Sequence, residues 1–99
     1  MKAADYFSQY FETISQCIES IDSDQLEQAA AMVWAAHQSG KKIILVGNGG
    51  SAAMASHVAV DFTKAAGIRA INFNEADLIT CFANDYGYEH WVAKALDAY

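Results

Sequence analysis

Ile43-Ile44-Leu45-Val46-Gly47-Asn48-Gly49-Gly50-Ser51 is the stretch that decides the fold. Its first residues are apolar without alternation, the pattern of a strand covered on both faces inside a parallel sheet. A glycine-rich turn follows at once. From Ala52 to about Ala65 the sequence returns to helical character, and Gly67 ends it. Ile68 to Phe73 reads as a second strand, with Arg69 near its start. Strand, turn, helix and strand in that order make a βαβ unit.

Upstream, Tyr6, Phe7, Tyr10, Phe11, Ile14, Cys17, Ile18 and Ile21 recur at spacings of three and four. That is a helical stripe. It is wide and aromatic, and two surfaces compete for it: the chain's own core, or another subunit. Asp22-Ser23-Asp24 offers N-caps for a second helix, with Glu27 placed as in a capping box. This helix runs to about Gln38, and Gly40 supplies its stop. Downstream, Asn74 is expected to cap a short helix through Ala83. Asp85 is expected to cap another from Tyr88 to the end, carrying Trp91, Val92, Ala95 and Leu96. Glu75 and Asp77 suit a helix N-terminus. The expected organisation is a helical segment over 1–40, then a βαβ unit with following helices over 41–99. Two strands do not close an architecture. The predicted class is therefore α/β, a Rossmann-like parallel sheet flanked by helices, incomplete in this chain.

Composition narrows the function classes. The chain has 99 residues, 54% of them hydrophobic, and no proline, which is not a disordered composition. A net charge of −6 with six scattered basic residues argues against a nucleic-acid surface. No apolar run is long enough to span a membrane, and the N-terminus lacks the apolar region of a signal peptide. A cytoplasmic protein is the expectation. Cys17 and Cys81 form no metal or redox spacing and read as free buried thiols.

The strand-to-helix junction carries the strongest chemical signal. Gly47, Gly49 and Gly50 let backbone N–H groups approach a ligand, and the following helix N-terminus favours negative charge. Asn48 adds an amide and Ser51 a hydroxyl. Together they suit a phosphate or a polyhydroxylated sugar; the competing reading is a tight turn without ligand. Gly47, Gly49 and Ala52 also match a G-x-G-x-x-A dinucleotide pattern, with Glu75 as the acid after the second strand. That acid comes later than the usual spacing of about 20 residues, and no nucleotide cofactor is expected. His57 and Asp61 are four apart on one helix, hence on one face. They suit an acid–base pair or metal ligands, or a plain helix contact. Asn84 and Asp85 sit between predicted helices, where turn and cap roles compete with binding of sugar hydroxyls.

The segments KIILVGNGGSAAMASHVAVDFTK and NFNEADLITCFANDYGYEHW together resemble the phosphoheptose isomerase branch of the sugar isomerase (SIS) family. The likeness covers nearly the whole chain. It rests on GNGGS after a buried strand, a His six residues after the Ser, an acid four later, and a distant NDxG. The resemblance implies a five-stranded parallel sheet and homo-oligomers, usually tetramers, otherwise dimers, with active sites at subunit interfaces. It implies conversion of sedoheptulose 7-phosphate to a heptose 7-phosphate through an enediol, for lipopolysaccharide and other surface polysaccharides, often with zinc. By position it places the catalytic carboxylate on Asp61 and a metal-binding histidine on His57. Asn48, Ser51 and Asp85 match positions lining the sugar site. The sequence departs from the family in two ways. The catalytic acid is Glu in the family, and Asp61 is one methylene shorter. A misplacement of about 1 Å can cost ~100-fold. The second half of the family domain, with its Ser/Thr-rich phosphate loop and a late Gln and His, is not found here. The chain alone is expected to lack a complete active site. The alternative is a non-catalytic SIS protein that binds sugar phosphate or mediates assembly, as do relatives that bind the bacterial replication initiator.

Overall fold

The computed structural model describes residues 1–99. It contains helix α1 (Ala3–Glu19), helix α2 (Ser23–Gln38), strand β1 (Ile43–Leu45), helix α3 (Gly50–Lys64), strand β2 (Ala70–Asn72), helix α4 (Ala76–Tyr86), a 3-10 turn (Tyr88–His90) and helix α5 (Trp91–Leu96). By contacts the chain divides into two compact units, Met1–Met32 and Val33–Tyr99. No helix is long and apolar enough to cross a membrane.

The first unit holds α1 and the start of α2. The backbone N–H of Lys2 donates to the Asp5 carboxylate at 3.2 Å, satisfying one otherwise unpaired donor of the first turn. None of the α1 residues is buried. Tyr6, Phe7, Tyr10, Phe11 and Ile18 all remain at least half exposed. Their rings contact one another along the helix: Tyr6 stacks near Tyr10 and Phe7 near Phe11, with centroids 6.1 and 6.5 Å apart. The predicted stripe is present, and no core of its own unit buries it. Of the three cap candidates for α2, Asp22 serves, its Oδ1 accepting from the Asp24 N–H at 2.9 Å.

The second unit is the βαβ arrangement. β1 and β2 pair in parallel, with Ile43 opposite Ala70, Ile44 opposite Ile71 and Leu45 opposite Asn72. Both strands are shorter than predicted, because Val46 already leads into the glycine turn and Ile68 precedes the pairing. Helix α3 crosses between them and buries Ala52, Ala55 and Ala59. These small residues, one helical turn or so apart, let the helix axis lie close to the strands. The main core lies on Phe73, Trp91 and Ala95, with Ile44, Ile71, Leu78, Ile79, Phe82 and Val92 packed against it. Phe73 is 2% exposed and Trp91 3%. α4 and α5 thus cover one side of a sheet too small to cover itself.

Three local expectations are corrected. Asn74 does not cap α4. Glu75 does, its Oε2 accepting from the Leu78 N–H at 2.8 Å. Asp85 caps nothing, because α4 continues through it to Tyr86 and ends at Gly87. Helix continuation wins since the Gly87 N–H still finds the Ala83 carbonyl at 2.9 Å. Cys17 and Cys81 are free but exposed rather than buried, since each lies on a helix face that no other element covers. The basic residues are also less scattered in space than in sequence. Lys41, Lys42 and Arg69 gather at the amino end of β1, where Arg69 donates to the Gly40 carbonyl at 3.2 Å.

Candidate functional site

At the carboxyl end of β1 the chain passes through Val46 and Gly47 into the turn. Gly47 has no room for a side chain: a Cβ there would collide with the Ser51 backbone. The glycine therefore lets the strand exit run directly against the first turn of α3. Gly49 is the N-cap of α3 with φ +58° and ψ −122°, a conformation that residues with a Cβ avoid. The Ser51 hydroxyl closes the loop. It accepts from the Asn48 N–H and donates to the Asn48 carbonyl, both at 2.8 Å. Ser51 is thus a fastener of the turn within this chain. The Asn48 side chain is engaged from across the gap, where its Oδ1 accepts from the Tyr88 hydroxyl.

The turn faces a cleft of about 340 Å³. Gly47, Asn48 and Gly49 line one side, with Ala52 and Ala53 of α3. Asn74, Ile79, Tyr88 and Trp91 line the rest. The cleft lies beyond the carboxyl ends of parallel strands, where open α/β sheets take their ligands. Its lining contains no carboxylate, imidazole or cationic side chain. Its polar groups are amides, a phenol and backbone, suited to binding an uncharged polyol or, through N–H groups, an anion. A larger cavity of about 400 Å³ runs beside β2 and α3, lined by Ala59, Val60, Thr63, Lys64, Ala70, Ile71 and Asn72. It follows the outer side of β2 and collects none of the predicted site residues.

The predicted residues divide between the cleft and the surface. Gly47, Asn48 and Gly49 line the cleft; Gly50 and Ser51 belong to the same turn but not to the lining. His57 and Asp61 lie on α3 with Nε2 and Oδ1 3.5 Å apart, and their side chains are 78% and 63% exposed. At 100° per residue they occupy the helix face opposite the Ala52–Ala55–Ala59 stripe. Asp61 is ten residues beyond Ser51, or about 15 Å along the helix axis. This pair therefore does not reach the cleft of its own chain. Asn84 and Asp85 lie on the last turns of α4, outside the lining. The Asp85 carboxylate accepts there from the Asn84 amide at 3.3 Å and lies 3.8 Å from the Cys81 sulfur.

Sequence reasoning missed Asn74, Tyr88 and Trp91 as cleft residues. Asn74 was expected as a cap. In the fold its Nδ2 donates to Ser56 Oγ at 2.9 Å, while its own N–H donates to Asn72 Oδ1 at 2.8 Å. The available signal was topological: residues just after β2 must lie beside the turn after β1 when the two strands run parallel.

Zinc is the metal that the resemblance implies, and zinc sites take three or four protein ligands. His57 and Asp61 make two, and no group of three or more His, Cys, Asp or Glu comes together in this chain. The residues present do not fit a zinc site by themselves.

Comparison with known proteins shows the family. The SIS domain model matches residues 5–95. Among curated proteins, the phosphoheptose isomerase of Aneurinibacillus thermoaerophilus is 33% identical, over 95% of this chain and 53% of its own. That of Fusobacterium nucleatum is 34% identical over 90% of this chain and 49% of its own. That of Hamiltonella defensa is 38% identical over 76% and 39%. The chain spans about half the length of the curated relatives it matches. With its glycine turn, parallel βαβ unit and matched length, the chain belongs to the SIS domain family.

Proposed function

We propose that this chain forms part of a sugar-phosphate isomerase of the phosphoheptose type, interconverting a ketose and an aldose phosphate through an enediol. One observation carries the reading: the amide-lined cleft at the carboxyl end of β1, built on a glycine turn suited to a phosphate or sugar. The names of the relatives supply the reaction class. Sedoheptulose 7-phosphate is the proposed substrate, in a cytoplasmic route to lipopolysaccharide heptose.

In this reading Asp61 is the base. It takes a proton from the hydroxyl-bearing carbon beside the carbonyl and returns it to the former carbonyl carbon, while the proton of that hydroxyl passes to the carbonyl oxygen; His57 holds the carboxylate. Both are exposed, and along α3 His57 lies about 9 Å and Asp61 about 15 Å beyond Ser51. They therefore serve the cleft of a second copy, and the active site is shared between subunits. The uncovered aromatic face of α1 supports the same view, since a contiguous exposed apolar surface marks an interaction site. A homodimer or tetramer is the proposed assembly. The cleft holds no acid or base of its own, so a single copy of the chain binds sugar phosphate without turning it over. No metal step is assigned.

Calorimetric titration with sedoheptulose 7-phosphate, with inorganic phosphate as competitor, tests the binding. Saturable binding that Asn48→Ala weakens at least tenfold is expected. A chain that binds neither compound overturns the reading. Rapid turnover at a concentration where sedimentation shows only the monomer overturns the shared active site.

A further inference from the structure

Two amides line the cleft, and the fold restrains them in opposite senses. Asn48 Oδ1 accepts from the Tyr88 hydroxyl, and its NH₂ group has no partner within the chain. Asn74 is the reverse. Its Nδ2 donates to Ser56 Oγ, and its Oδ1 has no partner within the chain. The sense of Asn74 follows from hydrogen counting. A serine hydroxyl has one hydrogen. That of Ser56 goes to the Ala52 carbonyl at 3.1 Å, the back-bond common for serine in a helix, with Asn72 Oδ1 at 3.5 Å as the competing acceptor. Ser56 Oγ is left to accept, so Asn74 must present its NH₂ to it and keep its oxygen free.

We propose that Tyr88 and Ser56 are positioning residues, which make the cleft a matched donor and acceptor for adjacent hydroxyls of a polyol chain. The free NH₂ of Asn48 donates to one hydroxyl oxygen. The free oxygen of Asn74 accepts from its neighbour. A vicinal diol satisfies both at once, because each hydroxyl both donates and accepts. An inorganic phosphate satisfies only the donor side and the loop N–H groups. Tyr88 and the buried Trp91, with ring centroids 6.3 Å apart, form the adjoining wall. That wall suits the C–H side of a carbohydrate. This inference rests on the sugar-phosphate reading for its ligand, and on the two amides for its geometry.

The test has two arms, both on the 99-residue chain. In the first, calorimetry measures sedoheptulose 7-phosphate and inorganic phosphate against Tyr88→Phe, which removes only a hydroxyl. Losing one restraining hydrogen bond is expected to weaken the sugar phosphate about tenfold. It should leave inorganic phosphate within about twofold, and change nothing further when Asn48 is already alanine. A purely structural role would weaken both ligands and persist in the Asn48→Ala background; that result overturns the proposal, as does unchanged sugar-phosphate affinity. The second arm needs no ligand. The side-chain NH₂ signals of Asn48 and Asn74 are followed by nitrogen–proton NMR. Tyr88→Phe is expected to move the Asn48 pair alone, and Ser56→Ala the Asn74 pair alone. If the wild-type chain binds no sugar phosphate, the functional reading falls, and this arm still decides the geometry. Signals that ignore both substitutions overturn it.

Discussion

The two halves of this chain use apolar residues in opposite ways. α1 carries a broad aromatic stripe and buries none of it. In the unit from Val33 onward, alanines of α3 and α5, with Phe73 and Trp91, are nearly inaccessible. Periodicity alone would rank α1 as the better core helix. What separates them is the partner surface. α3 lies on two strands, and its alanines fit there because they are small. α1 is amphipathic with no comparable surface in its own unit. Amphipathicity states which face of a helix seeks cover, and only the tertiary structure shows whether cover is supplied.

That contrast can be broken by substitution. Phe73→Ala is expected to have the largest effect. A nearly inaccessible ring leaves a cavity, and such changes cost about 3–5 kcal/mol. In a unit this small that should remove the cooperative transition in urea, followed by circular dichroism. Gly47→Ala comes next, since its Cβ would collide with the backbone of Ser51. A cost of about 1–3 kcal/mol is expected from overpacking, with loss of sugar-phosphate binding in the same titration. Glu75→Ala removes the cap of α4 and should lower stability by about 1 kcal/mol, read from the thermal midpoint. Smallest is Phe7→Ser with Phe11→Ser. Exposed positions change stability by about 0.5 kcal/mol or less each, so the dilute chain should melt nearly unchanged. The same pair should abolish self-association in sedimentation at micromolar concentration. A large loss of stability in the dilute monomer would erase the contrast between the halves.

Much of the fold was legible in the chain itself. The unalternating Ile43–Val46 run and the glycines after it determine the βαβ unit, because few other structures tolerate that order. Gly40 ends α2 as read, with the Gly40 N–H on the His37 carbonyl at 3.0 Å. The loop half of the cleft was equally legible, since its residues are contiguous. The far wall was not. Asn74 reaches Ser56 and Tyr88 reaches Asn48 across long stretches of sequence, and Asn74 sits where cap chemistry already explains its residue type. Asp85 shows the same difficulty in reverse. Its type suggested a helix start, but α4 had enough backbone partners to run through it.

The parallel pair of strands has a consequence for amide exchange. Ile43 donates its N–H to the Arg69 carbonyl at 2.9 Å, so the N–H of Ile44, next along the strand, turns away from β2. The sheet has two strands only. Along β1, protection against deuterium should therefore alternate, slow at Ile43 and fast at Ile44. Any strand that joins the free side of β1 would slow Ile44 and leave Ile43 as it was. One amide would then report the arrival of a neighbouring strand without any assay of activity.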